Sequence, residues 1–586
     1  MVEQVDLVII GAGIYGLTSA STYHRLHPSS SILIVDSAPG VGGPWASHRI
    51  FPGLKTNNLW SMYEHPDFPM DQDRFGLKKG DHVPANIMLE YIEALAEWSG
   101  VDKFVRLNTK VDVIEKTREE WVLQCTMHLK AEQMHFIRTK KLIVAAGNTN
   151  KPHMPQFPRS PDFKSLVVHS KDFPIHYEQI ARSSTHTVVV GSGKSAWDVS
   201  YACATQQDST VTMLIRSSGN GPNWMTPSHV TPFSIWIEKL VFTRVIGFMS
   251  PCPWAETSGI EGWLRSFLQG TWLGRKVTAT FWNFLGKDII SLNKLDRHDE
   301  TKKLRPWRGG FDIGNCLGIH NYPTNFFDLV REGRIKVLFD EIRSFGKDRE
   351  IRLKSGDTLQ ADAVVCATGW HMNNAITFHP SNLASQLGLP SRHPTPSDQA
   401  LIQDSETSLF TQYPYLKTRD TSRLHHPNPS LRYTQNLNPN LQPYRLHRFI
   451  VPPHTLHDRN IAFAGALHAI QNFPCAYIQS LWITAYLDGT LRLPIATHDQ
   501  IRAETYRHTQ YCVVSGPTGI GAMMPDLVFD TLPYFDVLLR DLELEWKRRG
   551  GWLGLGEWVG SYRTCDYGGL VGEWEGRGRG EGKKGV

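Results

Sequence analysis

The stretch Val5-Asp6-Leu7-Val8-Ile9-Ile10-Gly11-Ala12-Gly13-Ile14-Tyr15-Gly16 decides the fold. Its apolar first half predicts a short, buried parallel strand that ends at Gly11, and residues 17–26 predict a helix. A second strand at residues 31–35 ends in Asp36, about 20 positions beyond the glycines, where a carboxylate accepts hydrogen bonds from a ribose. This order is typical of a Rossmann-type dinucleotide-binding unit.

Each glycine of the first turn has its own physical task. Gly11 makes the tight turn, Gly13 lets the backbone approach a pyrophosphate, and Gly16 lets the helix pack on the strand. The helix N-terminus supplies amides and about half a positive charge for the phosphates. We therefore expect the first dinucleotide to contact Gly11, Gly13, Ile14, Tyr15, Gly16 and Asp36.

A second turn, Gly191-Ser192-Gly193-Lys194-Ser195-Ala196, follows an apolar run at residues 187–190. Alanine replaces the third glycine, which the contact between helix and strand tolerates. The next strand, residues 211–215, ends in Arg216 and Ser217. Because a guanidinium attracts a 2′-phosphate that a carboxylate would repel, we expect NADPH rather than NADH, although a solvated arginine is the alternative. The expected contacts are Gly191, Gly193, Lys194, Ser195, Ala196, Arg216 and Ser217.

Two such turns in one chain predict that two dinucleotides meet, which is the usual arrangement for electron transfer between a flavin and a nicotinamide. Strands at residues 141–147 and 362–369 close the two units with small residues that let the chain pass close to a cofactor. These small residues are Ala146, Gly147, Thr368 and Gly369. The predicted fold is α/β, with two Rossmann-like dinucleotide-binding domains, for FAD and NADPH, and a helical insertion.

The sequence divides into an FAD-binding domain (1–155), an NADPH-binding domain (156–370), an irregular excursion (371–455), a return of the FAD-binding domain (456–500) and a C-terminal extension (501–586) with a disordered, glycine-rich tail. The second domain contains a helical insertion at about 222–304. It is rich in tryptophan: Trp224, Trp236, Trp254, Trp263, Trp272 and Trp282. A lid over an apolar substrate, a face on a membrane and a subdomain with its own core are the alternatives for this insertion.

Composition excludes several classes of protein. A net charge of +5 over 586 residues, with no basic block before the tail, does not suggest a nucleic-acid partner. The 8 cysteines form no CxxC pair, which argues against a zinc site and a flavin disulfide reductase and fits a reducing compartment. No apolar run reaches about 18 residues, and the first strand begins too early for a signal peptide. We expect a cytoplasmic protein, membrane-associated if the insertion is a contact face.

With these motifs in order, the chain resembles the class B flavoprotein monooxygenases, and among them the flavin-containing monooxygenases, over residues 6–489. Residues 163–174 resemble the fingerprint FxGxxxHxxx(F/Y/W), with Ser165 at the glycine and His169 at the histidine. The resemblance gives His169 a positioning role in the linker between domains. By the same resemblance, further residues approach the flavin: Gly43 and Trp45 of a GGxW loop, Gly465 and Gln479.

Asn57 is the catalytic residue that the resemblance implies. Flavin-containing monooxygenases carry an asparagine at the reactive edge of the flavin, whereas Baeyer–Villiger enzymes usually carry an aspartate, so Asn57 favours heteroatom oxidation. Asn58 follows directly and leaves the register open by one residue. Lys55 is a weaker candidate, and a surface lysine is the alternative there.

The resemblance implies that NADPH reduces FAD, that O2 then forms a flavin C4a-hydroperoxide, and that one oxygen atom enters an apolar small molecule. The reaction would be N- or S-oxygenation or hydroxylation in secondary metabolism, with no acid–base pair and no metal required. A Baeyer–Villiger monooxygenase acting on a ketone is the second reading, with Arg305 and Arg308 as candidate arginines. A non-catalytic, nucleotide-binding redox sensor is the alternative from another class.

Overall fold

The computed structural model describes residues 2–127, 133–231, 234–310, 317–371, 375–391, 394–417, 442–492, 497–516, 521, 524–549 and 555–577. Of the tail that the sequence predicts to be disordered, residues 578–586 lie outside the described residues. Residues 575–577 close the last helix.

The N-terminal region alternates strands and helices as the apolar pattern predicts. Its elements are β1 (Val2–Ile10), α1 (Ile14–Leu26), β2 (Ile32–Val35), β3 (Lys55–Leu59), α2 (Gln72–Phe75), β4 (His82–Pro84), α3 (Ala85–Trp98), β5 (Val105–Arg106), β6 (Thr109–Lys116), β7 (Trp121–Met127) and β8 (Gln133–Val144).

The second region contains a parallel sheet, the tryptophan-rich insertion and a small antiparallel sheet. Its elements are β9 (Leu166–His169), β10 (His186–Val190), α4 (Lys194–Ala204), β11 (Thr210–Ile215), β12 (Trp224–Thr226), β13 (His229–Val230), β14 (Ile235–Trp236), α5 (Ile237–Val241), α6 (Arg244–Gly247), α7 (Gly259–Gly270), α8 (Trp272–Leu292), α9 (Asp299–Lys302), β15 (Leu317–Ile319), α10 (Phe326–Arg331), β16 (Ile335–Phe339), β17 (Ile342–Phe345), β18 (Glu350–Leu353), β19 (Thr358–Gln360) and β20 (Ala363–Cys366).

The C-terminal third is mostly helical. Its elements are β21 (Thr377–His379), α11 (Leu383–Gln386), α12 (Pro396–Gln412), α13 (Pro414–Lys417), β22 (Ile461–Phe463), α14 (Asn472–Leu487), α15 (His498–Ser515), α16 (Thr531–Asp541), α17 (Leu555–Val559) and α18 (Leu570–Arg577).

The strands form two principal sheets. The first, an 8-stranded sheet, has the order β21-β6-β7-β8-β1-β2-β5, and β22 also pairs with β8. Strand β1 runs parallel to both neighbours, with Ile9 opposite Ile34 on β2 and Ile143 on β8. The second sheet, β16-β11-β10-β20-β9, is parallel throughout. Both glycine turns therefore lie at carboxyl ends of parallel strands, where α/β sheets bind ligands. The predicted fold class is confirmed.

The region 371–455 is not simply irregular, so that prediction is wrong in part. Strand β21 adds an edge to the first sheet by pairing with β6, and α12 is a helix of 17 residues. Thr395 caps α12 in a capping box with Asp398, and a proline occupies its first turn. Its polar sequence has almost no apolar period, which hid the helix. Residues 418–441 lie outside the described residues.

The C-terminal extension packs onto the flavin half, which contains the first sheet, rather than standing apart. Tyr534 and Leu538 of α16 lie in the same buried cluster as Trp482 of α14 and Leu17 of α1. Strand β22 and helix α14 thus return the chain to the first sheet, and the extension covers α14. This packing builds the far wall of the site.

The insertion is helical, with elements α5–α9, and the buried cluster that it forms by itself is small. Trp224 and Ile237 form a small cluster with Val230 and Ile289, whereas Trp254 joins the core of the flavin half. Trp224, Trp254 and Trp282 are buried, but Trp263 and Trp272 are 67% and 64% exposed. The insertion therefore bridges the two halves and leaves one tryptophan-bearing face uncovered.

Candidate active site between the two dinucleotide turns

Both glycine turns line one cavity of about 1130 Å³. Gly11 and Gly13 contribute from the first turn, and Gly193, Lys194 and Ser195 contribute from the second. The other lining residues among the predicted contacts are Ile14, Tyr15, Asp36, Gly43, Trp45, Asn57, Ala146, Gly147, Gly369 and Gly465. A volume of this size lies above the usual range for a single drug-sized ligand, so there is room for more than one cofactor ring.

The first turn requires its glycines for steric reasons. Gly11 has φ +110°, and a Cβ there would lie 2.3 Å from the carbonyl oxygen of Ala145. A Cβ on Gly16 would lie 1.8 Å from the carbonyl oxygen of Gly11. Gly16 is buried and packs α1 on β1 without lining the cavity. The turn thus has the close packing that its glycine spacing predicts.

Asp36 is held in a fixed orientation at the end of β2. Its Oδ2 accepts a hydrogen bond from the backbone N of Ala12 at 2.7 Å, and Oδ1 accepts one from Ala38 N at 2.8 Å. A carboxylate has about four acceptor sites. Since Asp36 also lines the cavity, it retains capacity to accept hydrogen bonds from the hydroxyls of a ligand.

The return segment supplies the wall opposite the first turn. Gly465 has φ +71°, and a Cβ there would lie 2.7 Å from the ring of Tyr15. The side chain of Asn472 joins two tyrosines, since its Oδ1 accepts from Tyr15 Oη and its Nδ2 donates to Tyr63 Oη, both at 3.2 Å. Burial raises the pKa of Tyr15 and of Tyr63, so both hydroxyls stay neutral. Sequence analysis missed Asn472 and Tyr63.

Gln479 does not line the cavity, which corrects the expected direct approach to the flavin. Its side chain is completely buried, its Oε1 accepts from Gly465 N at 3.0 Å, and its Nε2 donates to Tyr534 Oη at 2.7 Å. Gln479 therefore holds Gly465 in place from behind. The Tyr534 contact comes from the C-terminal extension, where no motif was found.

Asn57 and Asn58, between which the sequence left the register open, have different surroundings. Asn57 lines the cavity, and its buried Oδ1 has no hydrogen-bond partner in the described part of the chain. Asn58 points away, and its Nδ2 donates to Glu238 Oε1 at 2.6 Å. Lys55 lies outside the cavity lining. Of the two asparagines, Asn57 is therefore the one whose side chain can contact a group bound in the cavity.

The second turn is more open than the first. Gly191 has φ +135°, and a Cβ there would lie 2.4 Å from the carbonyl oxygen of Ala367, whereas a Cβ on Gly193 would meet no atom within 4 Å. Ala196, in the first turn of α4, is fully buried. Lys194 forms an ion pair with Asp198, so its charge is partly neutralised before any phosphate binds.

Arg216 and Ser217 follow β11 and lie outside the enclosed cavity. Arg216 is exposed, and its side chain makes no hydrogen bond or ion pair within the part of the chain that the structure describes. The pKa of the nearby Glu341 carboxyl is lowered chiefly by a hydrogen bond from Lys354, and the charge of Arg216 adds a smaller lowering. An exposed cation at this strand end is accessible to an anion from solvent.

His169 fastens the end of β9 to the closing turn of the second sheet. Its Nδ1 accepts from Lys171 N at 3.1 Å, which leaves the proton on Nε2 to donate to the Gly369 carbonyl at 3.0 Å. Burial lowers the pKa of His169 and keeps the ring neutral. Thr368, next in this turn, donates from Oγ1 to the His153 carbonyl at 2.5 Å. His169 thus has the contacts of a positioning residue.

Ser165, which replaces the family glycine, fits the fold. It is buried, and its Oγ donates to the carbonyl oxygen of Ala361 at 2.6 Å. The two candidate Baeyer–Villiger arginines do not line the cavity, and Arg305 is paired with Asp296 at 3.1 Å. Two cations that sequence analysis missed, Arg49 and Lys171, do line it. Each lies within four residues of a quoted motif residue, Trp45 or His169, which was the available signal.

The described residues suit two dinucleotides by chemistry as well as by shape. The first turn lies beside a fixed carboxylate and an asparagine that lines the cavity, and the second turn leads to an exposed guanidinium. Two Rossmann-type cradles that share one cavity define a flavoprotein with two nucleotide sites. Over the ranges described, no group of His, Cys, Asp and Glu could hold a metal ion, and no helix is long and apolar enough to cross a bilayer.

Comparisons with known proteins agree with this class. Residues 8–242 match the family model of pyridine nucleotide-disulphide oxidoreductases. The chain is 30% identical to the FAD-dependent monooxygenase resA of Aspergillus sclerotiorum, over 97% of this chain and 98% of that protein. It is also 30% identical to the FAD-dependent monooxygenase rstn6 of Aspergillus nomiae, with 97% and 98% covered. The chain belongs to the family of FAD-dependent monooxygenases, and the predicted class B flavoprotein monooxygenase is confirmed.

Solved structures share the fold at low sequence identity. A cyclohexanone monooxygenase with bound cyclohexanone superposes with a TM-score of 0.56 at 15% identity, over 99% of this chain and 98% of that one. Tmm from Pelagibacter superposes with a TM-score of 0.51 at 12% identity, over 93% and 87%. These likenesses establish the architecture.

Proposed function

We propose that the chain binds FAD along the first turn and NADPH along the second, and transfers one oxygen atom from O2 to a nitrogen or sulfur atom of an apolar small molecule. The observation that carries this proposal is the shared cavity, which both turns line together with Asn57. A hydride donor and a flavin held in one cavity can meet without a second protein.

The bound flavin supplies the redox and oxygen chemistry. The residues of this chain bind, orient and exclude water. Gly13 and Asp36 would hold the pyrophosphate and ribose of FAD, and Lys194 and Arg216 would hold the phosphates of NADPH. The Asn57 side-chain amide would form a hydrogen bond with a polar group of either the flavin or the nicotinamide amide. The neutral tyrosines add no charge to the cavity.

Heteroatom oxidation is the better-supported reaction because the side chain at position 57 is a neutral amide. A Baeyer–Villiger reaction usually employs a nearby arginine. The candidates Arg305 and Arg308 do not line the cavity, but Arg49 does, so the residue at position 57 carries the distinction. A role in secondary metabolism is proposed by analogy, as is an apolar substrate.

A side-by-side assay with thioanisole and cyclohexanone tests the reaction class. We expect sulfoxide formation with oxygen uptake and no lactone, and Asn57→Leu should lose the sulfoxide while it keeps bound FAD. Lactone as the main product would favour the Baeyer–Villiger alternative. Full FAD binding without NADPH-dependent oxygen uptake would favour the redox sensor.

We also propose that the α7–α8 hairpin of the insertion rests on an anionic lipid surface. Its exposed apolar side chains are Ile260, Trp263, Trp272, Leu273, Val277, Phe284 and Leu292. Both acidic residues of the hairpin are occupied, because Glu261 pairs with Lys547 and Asp288 accepts from Thr231. The basic residues Arg275, Lys276 and Lys287 therefore dominate the charge of this face. A second copy docked by a twofold axis would bring these cations together.

Co-sedimentation with phosphatidylcholine vesicles, with and without phosphatidylserine, tests this contact. We expect binding that increases with phosphatidylserine and is lost in a Trp263→Ser/Trp272→Ser variant, while Trp98→Ser, on an exposed tryptophan of α3, binds normally. A concentration-dependent dimer with no vesicle binding would contradict the proposal. The proposed compartment is the cytoplasm, since the 7 described cysteines are all free.

A further inference from the structure

Strand β3, which presents Asn57 to the cavity, is held on one side by a residue of the insertion. Glu238 on α5 accepts from Asn58 Nδ2 through Oε1 at 2.6 Å and from Leu59 N through Oε2 at 2.8 Å. These donors belong to the two residues that directly follow Asn57. Both oxygens of one carboxylate therefore fix the C-terminal side of the candidate catalytic residue.

The other side of β3 is held by Asn321, two residues beyond β15. Its Nδ2 donates to the carbonyl oxygens of Lys55 and Thr56 at 3.2 and 3.0 Å. These carbonyls belong to the two residues that directly precede Asn57. Hydrogen bonds from Glu238 and Asn321 thus hold the backbone on both sides of Asn57. Both side chains belong to the nicotinamide half, the part of the chain that contains the second sheet and the insertion.

The Glu238 carboxyl is unusual as a packing element. It is 4% exposed, and no ion pair among the described residues neutralises it. Burial raises its pKa to about 7, which reflects the cost of placing a charge in the core. Apolar residues would fill this volume at lower cost. Its geometry indicates that Glu238 is retained for the two hydrogen bonds that it accepts from β3.

Asn321 also connects β3 to the second turn. Its Oδ1 accepts from Lys194 Nζ at 3.2 Å, and Lys194 lines the cavity next to Gly193. A phosphate group that binds Lys194 therefore affects Asn321, whose side chain forms hydrogen bonds with the backbone beside Asn57. Two successive hydrogen bonds, from Lys194 to Asn321 and from Asn321 to β3, therefore connect the second turn to the strand that carries Asn57.

We propose that Glu238 and Asn321, here called the β3 clamp, are positioning residues that hold the Asn57 side chain in a fixed orientation at the cavity. Lys194 connects this orientation to the second turn. The proposal rests on the proposed role of Asn57 beside the flavin. Residues that hold a catalytic side chain in place control its geometry without touching the reacting atoms. The clamp makes the nicotinamide half part of the flavin site.

The test measures hydrogen peroxide release by the holoenzyme with NADPH in air and no organic substrate. Glu238→Gln and Asn321→Asp are nearly isosteric. The first places an amide N–H group against one donor of β3, and the second places a carboxylate oxygen against the carbonyl oxygens of Lys55 and Thr56. We expect either variant to retain FAD and to release peroxide about tenfold faster than wild type, as Asn57→Leu should. The double variant Asn57→Leu/Glu238→Gln should be no faster than Asn57→Leu alone, because coupled residues are not additive.

Asn325→Ala is the matched control. Asn325 lies four residues beyond Asn321 and accepts from Phe327 N at 2.9 Å at the start of α10. Its loss should lower stability and leave peroxide release at the wild-type rate. This control separates a defect in local folding from a defect in the position of Asn57.

Three outcomes would overturn the clamp. The first is wild-type peroxide release by both clamp variants, the second is a multiplicative effect in the double variant, and the third is loss of FAD by both clamp variants, which would show a role in folding. If Asn57→Leu itself behaves as wild type, the proposed role of Asn57 fails. If Asn57→Leu releases peroxide and the clamp variants do not, only the clamp is wrong.

Discussion

The two dinucleotide turns have the same backbone form but different surroundings. In the first turn, a Cβ on Gly13 would meet the backbone of Gly43 at 3.7 Å, whereas the equivalent Cβ on Gly193 meets no atom within 4 Å. The acidic residue that follows the first turn is Asp36, which is held by two backbone N–H groups, and the basic residue that follows the second is Arg216, which is exposed.

This difference indicates two modes of cofactor use. The first turn is covered by the GGxW loop and by the return segment, and Gln479 and Tyr534 support that segment from behind. A covered site retains its cofactor through many turnovers. The second turn is open on the equivalent side and presents an exposed cation, as an exchanging cosubstrate requires. We infer that FAD stays and that NADPH comes and goes.

The largest effect is expected from Gly11→Ala. A left-handed conformation costs an L-residue about 1–2 kcal/mol, and the new Cβ would overlap the Ala145 carbonyl at 2.3 Å. We expect a protein without FAD absorbance and with a lower Tm. Gly53→Ala is the control, because Gly53 has φ +87° with no atom within 4 Å of an added Cβ. Full FAD content in Gly11→Ala would contradict the close packing of the first turn.

Arg216→Ala addresses the open turn alone. Loss of a charge-assisted contact to a 2′-phosphate costs roughly 1.5–3 kcal/mol, so KM for NADPH should rise roughly ten- to hundredfold. KM for NADH and the FAD content should not change. Steady-state kinetics with both nucleotides measures this, and Arg334→Ala, at an arginine that binds the Gln206 and Ser209 carbonyls, is the control. Equal changes for NADPH and NADH would remove Arg216 from the phosphate site.

Asn57→Leu tests the point where the two cofactors are proposed to meet. The variant keeps the approximate volume and removes the only polar atoms of the side chain, so one hydrogen bond to a bound group is lost. We expect normal FAD content and peroxide release about tenfold faster than wild type, which corresponds to about 1.4 kcal/mol. Unchanged peroxide release would place Asn57 outside the reactive part of the cavity.

The smallest effect is expected from Ser165→Gly, which restores the family residue in the second sheet. Loss of the hydrogen bond to the Ala361 carbonyl, at 2.6 Å, costs about 1 kcal/mol. We expect a slightly lower Tm by differential scanning calorimetry, with unchanged FAD content and kinetics. A changed KM for NADPH would show that Ser165 affects the second turn directly.

Local pattern predicted the parts of the site that are local in structure. Gly11, Asp36 and Gly191 were predictable because a strand, a tight turn and a helix follow one another within a few residues. Asn472, Glu238 and Asn321 were not, because they reach the site from positions far from the residues they contact. Asn321, for example, is 265 positions from Thr56.

Two incorrect expectations have physical explanations. Gln479 matched a family position, yet its amide is used by Gly465 and Tyr534, and the tyrosine comes from a region without a motif. Helix α12 was expected to be irregular because its sequence has no apolar stripe. The helix forms because a capping box and packing against α15 stabilise it. In both places a tertiary contact, invisible to local pattern, decides the outcome.

Anaerobic titration of the purified protein with NADPH tests the central claim most directly, because it requires both turns to serve one cavity. The account predicts a yellow protein whose flavin absorbance is bleached by NADPH, and by NADH only at much higher concentration. A protein that stays colourless after incubation with FAD, or a bound flavin that NADPH does not reduce, would contradict it.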